Sequence, residues 1–374
     1  MKEVKKLKSA INSVKPDTKV IAMYLPQFHR IPENDSWWGK GFTEWTNVKA
    51  AKPLFEGHIQ PRVPLNNNYY DLSEPNVLLQ QMKMAKEYGV DAFCFYHYWF
   101  ENGKKLLEKP IENMLNSDKL PLNFCLCWAN EPWTRTWDGD LGSKVKLIDQ
   151  EYGDEESWKQ HFNYLEQFFY RDEYLKNNGR PVFVIYRPQH IPCLKEMLKC
   201  WNKCAQEKVL EKIFIIYVNS GRVYEQWDES CDGVMDFEPF STLSNMLEEE
   251  LGEITHKKTG FNGVIYEVYD YEGICKKCVN QFKLPNINHY LGCFPGWDNT
   301  PRAKERADVI KIEGNTAEKF YKYFSAQYSK SKNLGNDYIF INAWNEWGEG
   351  AFLEPDKLEK MGYLDAIKKT KKGV

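Results

Sequence analysis

The chain has 374 residues, of which 42% are hydrophobic and 15% aromatic, and its formal net charge is −3 at pH 7. This nearly balanced charge excludes a strongly basic nucleic-acid-binding protein, and no segment approaches the roughly 18 apolar residues that a membrane-spanning helix needs. The N-terminus is charged but lacks the apolar stretch of a secretory signal, so we expect a cytoplasmic protein whose ten cysteines are reduced thiols. The short basic tails at the two ends allow peripheral contact with a membrane surface.

Short apolar runs recur along the whole chain, and polar residues follow each of them. Near-continuous apolar runs of this kind are typical of parallel strands that are buried on both faces. We predict eight such strands, at residues 19–25, 91–95, 122–127, 181–185, 212–217, 233–237, 289–294 and 338–343.

Segments with helical periodicity separate several of these strands. The last of them begins after Asn315, which we expect to act as its N-cap. Strands that alternate with helices favour an α/β fold, and eight of them favour a (β/α)8 TIM barrel over a doubly wound sheet. The predicted helices are residues 75–88, 155–170, 194–208 and 316–329.

The remaining segments complete the predicted organisation. Residues 29–72 hold few helical signals and form a long loop after the first strand, and residues 261–271 form an insertion before the seventh. We therefore expect an N-terminal tail of residues 1–18, a single barrel domain of residues 19–368 and a C-terminal basic tail of residues 369–374.

Polar and aromatic side chains follow almost every predicted strand. In a TIM barrel the C-terminal strand ends converge on one face, which carries the active site. Aromatic rings beside polar groups suit a ligand with both CH faces and hydroxyls, so we expect an oligosaccharide or polysaccharide substrate and no nucleic acid. The candidate binding residues are Tyr24, His29, Trp45, Tyr96, His97, Trp99, Trp128, Asn130, Glu131, Tyr186, Arg187, Trp297, Asp298, Arg302, Trp344 and Asn345.

Several of these residues have alternative interpretations. Arg187 either binds an anionic group of the ligand or pairs with Glu131 or Glu238. Arg302 is a possible salt-bridge partner of Asp298 in the same motif.

Glu346 and Glu349 are the candidate catalytic residues. Residues three apart on a continuing strand point to opposite faces, but Gly348 and Gly350 permit a turn that brings both carboxylates to one site. Glycosidic cleavage needs such a pair, with one carboxyl protonated and the other ionised. The neighbouring tryptophans would raise one pKa by desolvation.

Motifs for other chemistries are missing from the sequence. We find no Walker loop, no G-x-G-x-x-G after a strand, no H-E-x-x-H and no G-x-S-x-G, and we expect neither a cofactor nor a metal. Cys275 and Cys278 form a lone C-x-x-C, which we interpret as ordinary helix positions.

Seven motifs together resemble the WbsX-like proteins of bacterial polysaccharide loci, which are similar to glycoside hydrolase family 99. They are IAMYLPQFH (21–29), WWGKGFTEW (37–45), FYHYW (95–99), WANE (128–131), GWDNTPR (296–302), AWNEWGEG (343–350) and LEPD (353–356).

The resemblance implies a (β/α)8 barrel and a metal-independent, retaining endo-glycosidase that acts on a mannose-like or other bacterial polysaccharide. It implies that Glu346 deprotonates the sugar 2-hydroxyl to give a 1,2-anhydro sugar, and that Glu349 acts as general acid and then base. Gly348 and Phe352 place the motif nearer to the WbsX branch, which is labelled glycosyltransferase. Transfer in capsule or O-antigen (lipopolysaccharide) biosynthesis and a non-catalytic glycan-binding barrel are the alternatives.

Overall fold

The structure is a computed structural model, and it describes residues 17–134, 145–208, 210–221, 230–281, 284 and 287–373. Most of the predicted N-terminal tail lies outside these residues. The described parts of the chain contain no helix that is long and apolar enough to cross a membrane.

A closed parallel barrel forms the centre of the molecule. Its strands are β1 (Lys19–Tyr24), β2 (Ala92–Trp99), β3 (Asn123–Trp128), β4 (Arg180–Ile185), β5 (Phe214–Asn219), β6 (Gly233–Asp236), β7 (Asn288–Tyr290 and Gly292–Cys293) and β8 (Tyr338–Ile341). Each strand pairs in parallel with the next along the chain. The first part of β7 pairs with β6 and the second with β8, and β8 pairs with β1, so the sheet closes. The predicted (β/α)8 barrel is confirmed.

The helices of the described residues surround this barrel or lie in its loops. They are α1 (Pro32–Trp38), α2 (Glu44–Ala50), α3 (Pro75–Glu87), α4 (Lys109–Leu115), α5 (Glu155–Phe169), α6 (Leu194–Glu207), α7 (Phe240–Leu243), α8 (Glu248–Ile254), α9 (Tyr271–Asn280), α10 (Thr300–Ala303), α11 (Ala317–Leu334) and α12 (Gly362–Lys372).

The apolar runs form strands because both of their faces are covered. Every residue of β2 is buried, between the barrel interior on one side and helices on the other. The predicted cap of α11 is wrong by one residue, since the side chain of Thr316 accepts the hydrogen bond from the Lys319 amide. The Asn315 amide instead donates to the carbonyl of Pro295 and the hydroxyl of Tyr363, each at 3.2 Å.

The two predicted irregular segments contain regular structure. The loop after β1 carries α1 and α2. The insertion before β7 is an antiparallel hairpin of Thr255–Thr259 and Ile265–Asp270, which begins before the predicted start at residue 261. Trp45 of α2 packs on Trp347, with 5.5 Å between ring centroids, so the long loop is fixed against the segment that follows β8.

Candidate active site

The segment after β8 turns back on itself and places both candidate carboxylates on one side. Asn345 is held to the end of β1, because its amide donates to the carbonyl of Leu25 at 2.9 Å and its oxygen accepts from the Leu25 amide at 2.7 Å. Glu346 then begins a 3₁₀ turn that reaches Glu349, and Gly350 reverses the chain with φ 65°. The predicted turn is present, and Gly350 supplies its positive φ, whereas Gly348 has no positive φ.

The Arg302 guanidinium connects three carboxylates at this turn. Its Nε donates to Glu44 Oε1 at 2.8 Å, its Nη2 donates to Glu346 Oε2 at 2.8 Å, and its Nη1 pairs with Glu349 Oε1. Asp298 is not among these partners, since its carboxylate accepts from His58 and Gln60 instead. The predicted alternative of an Arg302–Asp298 pair is therefore wrong.

Burial raises the pKa of both candidate catalytic residues. The pKa of Glu346 is raised to about 8 by burial, with Glu349 and Glu44 adding to the effect and Arg302 opposing it. Burial also raises the pKa of Glu349, with Glu44 adding to the effect and Arg302 opposing it. The Glu349 side chain is more exposed than that of Glu346, at 19% against 7%. The raised pKa values favour retention of a proton by the pair near neutral pH.

The two carboxylates line a cavity of about 570 Å³ at the C-terminal end of the barrel. Aromatic rings form much of its wall. Tyr98 meets Trp133 edge to face at 5.2 Å, and Phe240 meets Trp297 at 4.6 Å. Among the residues that the structure describes, the lining is formed by Leu25, Tyr96, Tyr98, Ala129, Glu131, Pro132, Trp133, Thr134, Tyr186, Arg187, His190, Ser220, Phe237, Phe240, Trp297, Asn299, Arg302, Glu346 and Glu349.

A second charged group in the cavity centres on Arg187. Its Nε donates to Glu131 Oε1 at 2.8 Å, its Nη1 contacts the Ser220 hydroxyl, and its guanidinium lies over the Tyr186 ring at 4.4 Å. Asn130 fixes its backbone, since the Arg187 amide donates to Asn130 Oδ1 at 2.8 Å. Arg187 thus pairs with Glu131, one of the partners that the sequence leaves open.

The predicted binding residues divide according to the face of the strand on which they lie. On β2, Tyr96 and Tyr98 line the cavity. His97 and Trp99 lie on the opposite face, where the His161 ring of α5 is 2.9 Å from His97 Nε2 and stacks on Trp99 at 4.5 Å. Side chains alternate along a strand, so a site that includes Tyr96 also includes Tyr98, which the sequence prediction missed.

Six of the predicted binding residues line the cavity, and their role in binding stays a prediction. They are Tyr96, Glu131, Tyr186, Arg187, Trp297 and Arg302. Besides His97 and Trp99, the predicted residues outside the lining are Tyr24, His29, Trp45, Trp128, Asn130, Asp298, Trp344 and Asn345. Their polar atoms bind within the protein: Tyr24 to Gln81, His29 to Pro26, Trp45 to Tyr70, Trp128 to Trp99, Asn130 to Arg187, Asp298 to His58, Trp344 to Glu354 and Asn345 to Leu25.

Glu44 is the residue of this site that the sequence prediction missed most clearly. It belongs to the WWGKGFTEW motif, yet only its neighbour Trp45 is among the candidates. The motif was a signal, because a glutamate between aromatic residues in a long loop is an unusual place for a charge. Within the described residues, no group of three or more His, Cys, Asp or Glu side chains is arranged to hold a metal ion.

Comparison with known proteins places the chain in a family. Residues 20–367 match the model of a family described as Glycosyltransferase WbsX. The WxcX protein of Xanthomonas campestris pv. campestris (strain B100) is 38% identical over 357 residues, and so is that of strain ATCC 33913. The match covers 94% of this chain and 49% of the relative, so the chain spans about half the length of the curated relatives it matches.

Solved structures share the fold. A family 99 endo-alpha-mannosidase from Bacteroides thetaiotaomicron has a TM-score of 0.56 at 16% identity, with 96% of both chains covered. A glycoside hydrolase-like protein has a TM-score of 0.59 at 12% identity, with 95% of this chain and 94% of that chain covered. The family match extends over nearly the whole barrel and includes every motif of the cavity, and the chain therefore belongs to the WbsX family.

Proposed function

We propose that this protein is an enzyme that cleaves or transfers a glycosidic bond of a bacterial polysaccharide, with Glu346 and Glu349 as its acid–base pair. The observation that carries the proposal is the arrangement of the buried Glu346 and the partly buried Glu349 carboxylates on one guanidinium, in an aromatic-walled cavity at the C-terminal end of the barrel. The family description, which names a glycosyltransferase, and the endo-alpha-mannosidases of the same fold both support chemistry at a glycosidic bond.

The chemistry needs one group that protonates the leaving oxygen and one ionised group that acts as base or nucleophile. A pair that shares a proton near neutral pH supplies both. The raised pKa of Glu346 favours its protonated form in the ligand-free protein, whereas the family resemblance makes Glu346 the base. We propose that substrate binding transfers the proton to Glu349, which is the more exposed carboxyl and the nearer to incoming ligand.

The cavity lining supports a sugar ligand. Aromatic rings such as Tyr98, Trp133 and Trp297 offer flat apolar faces to the CH groups of a pyranose ring. The Arg187–Glu131 pair offers a donor and an acceptor for hydroxyl groups, and Glu131 keeps 40% of its side chain exposed. We propose an endo-acting enzyme, because a cavity of about 570 Å³ accommodates more than one sugar ring.

Transfer from an activated donor is the second candidate. The family description favours it. The expectation from the sequence that a D-x-D pattern is missing is wrong, since Asp138 and Asp140 form one, and such a pair of carboxylates suits a metal ion that binds a donor phosphate. These two residues lie outside the described residues.

One experiment separates these reactions. The protein is incubated with bacterial polysaccharides and lipid-linked oligosaccharides, with and without nucleotide sugars and Mn²⁺, and the products are sized by chromatography. Shortened chains indicate hydrolysis, lengthened chains without a nucleotide sugar indicate transglycosylation, and lengthening that requires a nucleotide sugar indicates transfer.

The matched variants are Glu346→Gln and Glu349→Gln, with Glu156→Gln on the exposed face of α5 as control. We expect each cavity variant to lower the rate by at least about 100-fold, since an acid or base contributes this much, and the control to match wild type. Wild-type rates in both cavity variants would overturn the assignment of the pair.

A further inference from the structure

Glu44 lies behind the candidate catalytic pair and is fully buried. It is the first residue of α2, and its amide donates to the Gln27 carbonyl at 3.1 Å. Its Oε1 accepts from Arg302 Nε at 2.8 Å, while Oε2 has no hydrogen-bond partner in the part of the chain that the structure describes. A buried carboxylate with a single cationic contact is costly, so its presence beside the pair calls for an explanation.

The surroundings of Glu44 leave it little freedom to move. Its neighbour Trp45 packs against Trp347, the first residue of the turn that carries Glu349. Gly348 lies directly opposite, and a Cβ at this position would overlap Glu44 Oε1 and stand 2.8 Å from Arg302 Nε. Gly348 therefore provides space for the Glu44–Arg302 contact, whereas Gly350 provides the positive φ.

We propose that Glu44 is a positioning residue for the acid–base pair: it fixes Arg302 between Glu346 and Glu349 and takes a share of its charge, so that the pair retains one proton. This inference rests on the proposed function for its catalytic meaning. The placement of Arg302 and the proton count of the pair are properties of the protein alone, and they can be measured without any substrate.

The balance of charges around Arg302 explains how Glu44 would affect the protonation of the pair. One guanidinium faces three carboxylates, so complete ionisation would leave two uncompensated negative charges in a buried site. Tyr98 also faces this group, and burial and the nearby Glu346 carboxylate raise its pKa, so it remains neutral. Without the charge of Glu44, Arg302 would favour ionisation of Glu346 and Glu349 more strongly.

The test is a titration of the full chain carrying ¹³C-carboxyl-labelled glutamate, followed by NMR. Spectra of Glu346→Gln and Glu349→Gln assign the two resonances. Glu44→Gln keeps an acceptor for Arg302 Nε but removes the negative charge, so we expect the midpoints of both carboxyls to fall, together by about one pH unit or more, a tenfold change in proton affinity. Unchanged midpoints would overturn the proposal.

Two further variants keep the result clear. Glu156→Gln is the matched control, and we expect it to leave both midpoints in place. Glu44→Asp keeps the negative charge but shortens the side chain and so weakens its contact with Arg302, and we expect it to lower both midpoints by less than Glu44→Gln does. This variant also serves if Glu44→Gln does not fold.

A glycan assay distinguishes this proposal from the proposed function. If the midpoints shift but no glycan is processed, the positioning role stands and the proposed function fails. Where turnover is found, Glu44→Gln moves the limbs of the pH–rate profile to lower pH. A purely structural role would lower the melting temperature and leave these limbs in place.

Discussion

Two cavities lie on either side of Trp297, and the pKa values of their carboxylates are shifted in opposite directions. The larger, of about 570 Å³, contains Glu346 and Glu349, whose pKa values are raised. The smaller, of about 340 Å³, contains Asp298. Burial opposes the ionisation of Asp298, but the hydrogen bonds from His58 and Gln60 hold its pKa below the usual value.

The difference is one of charge and hydrogen-bond balance. Asp298 accepts from His58 at 2.9 Å, from Gln60 at 2.6 Å and from the Thr300 amide at 3.0 Å, which stabilises its ionised form. Glu346 and Glu349 share one guanidinium with a third carboxylate. A carboxylate whose oxygens accept several hydrogen bonds is stable in its ionised form and stabilises the surrounding structure. Two carboxylates whose negative charges are only partly balanced by a cation favour a protonated form, and that proton is available for donation. The backbone joins the two regions, since the Asp298 amide donates to the Glu349 carbonyl at 2.6 Å.

The largest effect is expected from removal of the shared cation. Arg302→Met leaves three buried carboxylates without this guanidinium, so we expect the free energy of unfolding at pH 7.5 to fall by about 3–5 kcal/mol. Part of the loss should be recovered at pH 5, where the carboxyls take up protons. Urea unfolding at the two pH values measures both effects.

Arg187→Met is the matched control for this experiment. Its partner Glu131 is 40% exposed, so we expect a loss of about 1 kcal/mol or less. Equal losses in the two variants would mean that Arg302 contributes no more to stability than the arginine of a partly exposed ion pair.

A smaller effect of opposite sign is expected from Glu346→Gln. A folded-state pKa of about 8 favours the protonated form, so Glu346 destabilises the protein as pH rises from the unfolded pKa of about 4.5 toward 8. Glutamine mimics the protonated carboxyl. We expect the variant to match wild type near pH 4.5 and to exceed it by a few kcal/mol at pH 8, since each pH unit corresponds to about 1.4 kcal/mol.

Melting temperatures of wild type and variant across this pH range provide the measurement. Glu156→Gln should show no such divergence. If the stability difference of Glu346→Gln were constant with pH, the raised pKa of Glu346 and the proton of the pair would both be in doubt.

The sequence predicts the barrel and the turn of the larger cavity better than it predicts the smaller cavity. All eight barrel strands follow from apolar runs, because burial on both faces leaves a continuous signal. The turn after Glu346 follows from Gly350. The position of Asp298 does not, because a strand-end residue in an irregular segment has no alternation to show which cavity it faces.

The Glu44–Arg302 contact is hidden from the sequence for a different reason. The two residues are 258 positions apart, and the contact depends on how the long loop after β1 packs on the turn after β8. Gly348 could not be interpreted from the sequence for the same reason. Its sequence context suggests that it supplies a permissive backbone dihedral, but in the structure its missing side chain leaves room for the Glu44–Arg302 contact. The alternation of side chains along β2, by contrast, can be read from the sequence. It would have placed Tyr98 among the predicted binding residues instead of His97 and Trp99.

The smallest of these effects is expected in the second cavity. Asp298→Ala leaves the His58 and Gln60 donors and the Thr300 amide without their acceptor, which costs about 2 kcal/mol at neutral pH. The folded pKa of Asp298 is lowered, so its ionised form contributes stability above the unfolded pKa, and this contribution is lost as pH falls through the folded value. We therefore expect Asp298→Ala to be less stable than wild type at neutral pH, with the difference shrinking below pH 4, whereas Glu346→Gln is expected to be more stable than wild type at high pH. Asp298→Asn keeps an acceptor and should lose less. A difference that grew on acidification would show that the ionised form of Asp298 does not stabilise the smaller cavity, and the contrast with the larger cavity would be lost.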